Sequence, residues 1–177
     1  IYGDGFKQGF SRSAVKHVFD LGAAAVLLVL AAPVMLVATL AILLESGGPV
    51  IYRQERVGRG GKPFMLFKFR SMVQDAERDG RARWAVRNDA RVTRVGRLLR
   101  RSRIDELPQL WNVLRGEMSF VGPRPERPAF VANLERDIPF YGVRHCVKPG
   151  VTGWAQVRFA YGASVEDATR KLQFDLY

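Results

Sequence analysis

The sequence is poor in the residues that staple or metallate a fold. It has one cysteine, Cys146, and two histidines, His17 and His145, in 177 residues. A lone Cys forms no internal disulfide, which fits a reducing compartment and excludes a disulfide-stapled mini-protein. No His/Cys cluster has zinc spacing. Acidic residues are scarce as well: 17 Asp+Glu face 28 Lys+Arg, for a net charge of +11. With 47% hydrophobic and 25% charged residues, the chain is neither a disordered acidic tail nor collagen-like. It holds no internal repeat and no low-complexity tract. The length suits one domain with a real core. Ile1 at the start, and Tyr177 just after an apparent helical run, suggest a fragment or a processed form.

What is present is unevenly spread. Residues 21–44 carry no charge, and Thr39 is their only polar side chain. A helix of that length would measure roughly 36 Å, enough to cross a hydrocarbon core of about 30 Å. The run is too long for a signal-peptide core, and no clear cleavage site follows it. Pro33 near its middle removes a helix hydrogen bond and crowds the preceding turn. Lys7, Arg12 and Lys16 precede the run, and Arg53, Arg56 and Arg59 follow it. Positive charge on both flanks suggests that both ends are cytoplasmic. A re-entrant hairpin bent at Pro33 satisfies this; a kinked span and a buried core helix are the alternatives.

Residues 47–49, Gly-Gly-Pro, end the apolar segment. Residues 50–57 and 63–72 read as two strands of a hairpin joined through 58–62, with Lys68 and Arg70 on one face and Phe67 and Phe69 on the other. Residues 73–87 read as a polar helix or a mobile loop. Residues 91–103 carry six Arg, with Val92, Val95 and Leu99 recurring at helical spacing. This pattern predicts a basic amphipathic helix. Beside an apolar anchor, it suits anionic lipid or a phosphate substrate. Nucleic-acid binding is the other standard use of such a helix, but no nucleic-acid motif accompanies it.

Asp105 and Glu106 follow these arginines. Pro108 fits best in the first turn of a helix, which places Asp105 at or near that helix N-terminus. A register capped by Ser102 is the less favoured option, because it leaves Pro108 in the helix interior. The helix dipole, with Arg100, Arg101 and Arg103, should keep Asp105 ionised. An ionised, positioned carboxylate can be a covalent nucleophile, although Asp in such places is more often only a cap. Next, residues 119–126 hold Arg124 between Pro123 and Pro125, and a rigid Arg suits bidentate phosphate binding. The glycine-punctuated loop 148–156 offers Lys148, Thr152 and Gln156 as phosphate or sugar contacts. A hard cation such as Mg²⁺ needs only one or two carboxylates together with substrate phosphates.

Five motifs now stand in a familiar order: the apolar run with Pro33, Phe67-Lys-Phe-Arg-Ser-Met72, Asp105-Glu-Leu-Pro-Gln-Leu-Trp-Asn-Val-Leu114, Gly116-Glu-Met-Ser-Phe-Val-Gly-Pro-Arg-Pro125 and Lys148-Pro-Gly-Val-Thr-Gly-Trp-Ala-Gln-Val157. From about Ser13 to Tyr177 the chain resembles the bacterial sugar transferases, the monotopic phosphoglycosyl transferases of polysaccharide assembly. The stretch from Tyr161 to Tyr177 looks most like the exopolysaccharide branch.

The resemblance implies an α+β, mostly helical monotopic membrane protein. It would have a re-entrant helix-break-helix over residues 1–46 and a cytoplasmic catalytic domain over 47–177, with a small β-hairpin and interfacial amphipathic helices. It implies transfer of a sugar-1-phosphate from a UDP-sugar to polyprenyl (undecaprenyl) phosphate with release of UMP, at the cytoplasmic face of the bacterial inner membrane. Asp105 would be the nucleophile, and Glu106 would assist through Mg²⁺ or proton handling, both carboxylates being near the metal. Lys68, Arg70, Arg100 and Arg124 match family positions near the phosphates. Membrane lipid is an implied partner and nucleic acid is not. Two departures stand out: Ala32 precedes Pro33 where relatives often have Ser, and the chain ends before the usual C-terminal tail. A homodimer is compatible with these residues, and glucose, galactose and N-acetylated sugars all fit as the transferred sugar.

Overall fold

A computed structural model describes residues 10–77, 89–159 and 164–176. Lys7 of the expected basic flank, most of the expected polar segment 73–87 and the Tyr161-Gly-Ala stretch lie outside the described residues; Arg12 lies outside those with described side chains.

The apolar run forms α1, Phe10–Ser46, a 37-residue helix rich in Ala and Leu. The expected break at Pro33 is not a loss of helix: α1 continues through Pro33 as one helix. A proline there forfeits one backbone bond, of order 3 kcal/mol. Packing on both sides of it holds the two halves in place. Ala24 is buried with Leu66, Val113 and Met118; Ala38 and Ile42 are buried with Phe69 and Leu99. Asp20 is buried too and Met35 packs on the second of these clusters, whereas Val29, Leu30, Val37 and Leu44 are all exposed.

Strands β1, Ile51–Val57, and β2, Pro63–Phe69, pair antiparallel in the register Ile51↔Phe69 to Val57↔Pro63. The intervening Arg59–Gly61 forms a short 3₁₀ turn. The expected basic helix is α2, Arg94–Arg101, shorter than its arginine run. Thr93 caps it by accepting from the Gly96 amide. Glu45, at the end of α1, adds a second cap by accepting from the Arg94 and Val95 amides at 2.8 and 3.0 Å. After a 3₁₀ turn at Ile104–Glu106 comes α3, Gln109–Leu114, with Pro108 in its N-cap position.

Two short parallel strands follow, β3, Ser119–Val121, and β4, Gly150–Thr152. Helix α4, Pro128–Asp137, the 3₁₀ turn Tyr141–Cys146 and α6, Val165–Leu176, close a third core around Val131, Leu134, Ile138, Tyr141 and Leu172. Helix α5, Trp154–Arg158, precedes α6. Asn112 is fully buried and ties α3 to β2. Its Oδ1 accepts from the Phe67 amide at 3.1 Å, and its Nδ2 donates to Met65 O and Glu117 Oε2, both at 2.7 Å.

Candidate active site

Three local features converge on Asp105 and Glu106. First, α2 lies backbone to backbone on Ser71: a Cβ on Gly96 would come within 2.0 Å of Ser71 O, so only glycine permits the approach. The approach lets Arg100 Nε donate to Ser71 Oγ at 2.8 Å. Second, Arg103 takes a left-handed backbone, φ 60, which turns the chain sharply after α2. A non-glycine residue there carries a cost of about 1 kcal/mol. The turn it makes presents both carboxylates from Ile104–Glu106, each 8% exposed.

Third, the proline-flanked loop is held at several points. The Gly122 amide donates to Thr152 O and the Gly150 amide to Pro123 O, while the Val57 amide donates to Glu126 O. Arg56 Nη1 donates to Pro125 O at 2.9 Å. Arg124 thereby reaches Glu106.

Glu106 Oε1 accepts from Lys68 Nζ and from Arg124 Nη2, both at 2.9 Å. Burial alone would raise the carboxyl, but Arg124 and Lys68 outweigh it and hold Glu106 down to about 2. Lys68 is lowered to about 8, by burial first and then by Arg124, against the pull of Glu106. Asp105 differs from the expectation that its arginines would prevail. Burial raises its pKa and Glu106 adds to this, so that Lys68, Arg100 and Arg103 only partly compensate. Arginine count told which charges were near but not how much water had left.

The dyad opens onto a cavity of about 450 Å³. Lys68, Arg70, Arg100 and Arg124 all line it, as do Asp105 and Glu106. Arg70 is buried and its Nη2 also donates to Ser46 O and Oγ at 3.1 and 2.8 Å, and to Gly47 O, which binds the end of α1 to the cavity wall. Lys148 and Gln156 are not brought there. Lys148 Nζ lies 3.2 Å from His17 Nδ1 of α1, and Gln156, half-buried in α5, leaves its Nε2 without a partner. Tyr52, Gln54 and Arg56 line the cavity and were missed. Their alternation along β1 was the available signal.

Among the described residues, no group of three or more His, Cys, Asp or Glu is placed to hold a metal. Asp105 Oδ1 is buried without a hydrogen-bond partner, whereas Glu106 Oε1 is already taken by two cations. This donor set fits a hard cation that borrows its other ligands from a bound diphosphate, with Asp105 as the better protein ligand.

A chain 49% identical over 92% of this one is the UDP-N-acetylgalactosamine-undecaprenyl-phosphate N-acetylgalactosaminephosphotransferase of Aeromonas hydrophila, of which the match covers 38%. The UDP-glucose:undecaprenyl-phosphate glucose-1-phosphate transferase of Caulobacter vibrioides is 52% identical over 84% of this chain and 55% of its own. The exopolysaccharide production protein PSS of Rhizobium leguminosarum is 40% identical over 92% of this chain and 84% of its own. The chain thus spans little more than a third of the first of these relatives and about half of the second. The family described as Bacterial sugar transferase matches residues 11–177, and the chain belongs to that family.

Proposed function

We propose that the protein transfers a sugar-1-phosphate from a UDP-sugar to polyprenyl (undecaprenyl) phosphate through a covalent intermediate on Asp105. The observation that carries this reading is a buried carboxylate with an unpartnered oxygen, in a cavity walled by cations, on a body packed against a long apolar helix. The names of the relatives above support the substrate class.

In the first step an Asp105 carboxylate oxygen attacks the β-phosphorus of the donor. The bond from that phosphorus to the oxygen bridging the α-phosphate breaks, and UMP leaves with the electron pair. In the second step an oxygen of the acceptor phosphate attacks the same phosphorus, the acyl-phosphate bond breaks, and Asp105 is restored. Two polyanions then never need to share the cavity. Arg100 and Arg124 offset charge on the phosphoryl oxygens, without which a carboxylate is repelled. Lys68 and Arg124 keep Glu106 ionised beside the reacting group. Mg²⁺, held by Asp105 and substrate phosphates, would supply further charge neutralisation.

The arrangement of α1 supports a protein resting on one face of the membrane, read as the cytoplasmic face of the inner membrane from its basic flanks. Lys16 and Glu45 are about 43 Å apart along a straight helix. Lys16 is bonded to Ser119, and Glu45 to the amides of Arg94 and Val95, all in one globular body. A simple span would carry these two ends to opposite sides. Leu98, exposed between Arg97 and Arg101, suits α2 to the interface.

The direct test is to incubate the protein with a UDP-sugar and Mg²⁺ but no lipid acceptor, and to measure intact mass. A phosphosugar adduct is expected on the wild type and not on Asp105→Asn. Full turnover by Asp105→Asn would refute the covalent route.

A further inference from the structure

Arg144 sits in the 3₁₀ turn Tyr141–Cys146, is 6% exposed, and does not line the cavity. All three of its nitrogens are engaged. Nε and Nη2 donate to Asp175 Oδ2 at 3.1 and 2.7 Å, and Nη1 donates to the Tyr141 hydroxyl at 2.7 Å. Nη2 also donates to the main-chain oxygen of Arg124 at 2.9 Å. Asp175 comes from α6, and its side chain is 4% exposed.

A buried ion pair is by itself weak evidence of stabilisation, because apolar residues of similar volume often serve as well. The third partner gives this pair a more specific role. The residue whose side chain meets Glu106 is gripped at its own carbonyl by Arg144. The next carbonyl, that of Pro125, takes Arg56 Nη1 from β1. Two successive carbonyls of the loop are therefore pinned by guanidinium groups from different elements. Neither Pro123 nor Pro125 has an amide hydrogen with which to anchor the segment itself.

We infer that Arg144 and Asp175 are positioning residues: Asp175 orients Arg144, Arg144 fixes the Arg124 main chain, and Arg124 is thereby kept on Glu106 beside Asp105. The inference rests on the phosphoglycosyl-transfer reading for its activity readout, but not for its structural one. It gives α6, distant in sequence from the dyad, a part in setting the geometry of the site.

The test uses the full chain in lipid nanodiscs with a UDP-sugar, undecaprenyl phosphate and Mg²⁺, scored by UMP release. Asp175→Asn keeps the side-chain shape and loses the charge. Arg144→Lys can hold Asp175 but cannot also fork to the Arg124 carbonyl. Each should lower kcat about ten-fold, as small misplacements of catalytic groups do, with KM for the donor little changed. In an Arg124→Ala background, Asp175→Asn should lower kcat no further, since both changes disable one device. Additive losses in that cycle, or wild-type kcat in both single variants, would overturn the inference. Hydrogen exchange of residues 119–127 reads the strut without turnover: faster exchange is expected in Asp175→Asn, and unchanged exchange overturns it. An inactive wild type counts against the transfer reading alone. If both single variants fail to fold, the pair maintains the fold and the positioning role is lost.

Discussion

Asp105 and Glu106 are adjacent in the chain, yet their carboxyl groups are pushed in opposite directions. Glu106 is held down to about 2 by Arg124 and Lys68, while burial raises Asp105. Two carboxylates driven apart in this way suit different tasks. One stays ionised and clamped; the other keeps a more basic oxygen with no hydrogen-bond partner.

Lys68 should set an alkaline limit on activity. Its pKa is lowered to about 8, and its charged form holds Glu106. Raising pH through 8 discharges it, so kcat/KM should fall through a limb near that value. Lys68→Arg should displace the limb beyond the accessible range. The check is a pH profile of both proteins, and an unmoved limb in Lys68→Arg would assign it to another group.

Glu106 should contribute to acid sensitivity. Its folded pKa is about 2 against an ordinary 4.5, so its contribution is fully present above 4.5 and fades as pH falls from 4.5 toward 2. The shift corresponds to at most about 3 kcal/mol. Asp105, raised on folding, acts in the opposite sense over its own titration. Thermal melts between pH 5 and 3 should show a weaker pH dependence in Glu106→Gln than in the wild type.

Asn112→Leu should be strongly destabilising. It strands the Phe67 amide and the Met65 carbonyl in a site that is 0% exposed. Buried backbone groups without partners cost about 1–3 kcal/mol each. A melting temperature within a degree of wild type would mean that β2 and α3 are joined by other contacts.

Membrane disposition can be read with two labels. In a Cys146→Ser background, Ser13→Cys and Arg53→Cys should both react with an impermeant maleimide only from the cytoplasmic side. Reaction of one from each side would establish a span.

Local pattern was legible in the sequence wherever it was repeated. Period-two alternation located the hairpin to within three residues at each end, and 3–4 spacing located α2 inside its arginine run. The gathering of Lys68, Arg70, Arg100 and Arg124 around the cavity that holds the dyad was read only through family resemblance, because it joins segments far apart in the chain. Lys148 stands apart from this group: its glycine-punctuated loop does not line the cavity, and its Nζ lies 3.2 Å from His17 Nδ1 of α1. Burial was the least legible quantity. The charges around Asp105 could be counted from the sequence, but the loss of solvent that raises its pKa depends on how α2 and β2 close over it. The Arg144–Asp175 pair left no local trace, being two common residues 31 positions apart.

The stripe of α1 that meets the globular body bears on any attempt to obtain a soluble enzyme. Ala24, Ala38 and Ile42 are the lid over Leu66, Val113, Phe69 and Leu99. Trimming the anchor to improve handling would unroof two of the three hydrophobic centres and take away Glu45 from the start of α2. The greasy segment is thus as much an internal wall as a tether, and a version lacking it should emerge as an aggregating remnant rather than as a freely diffusing catalyst.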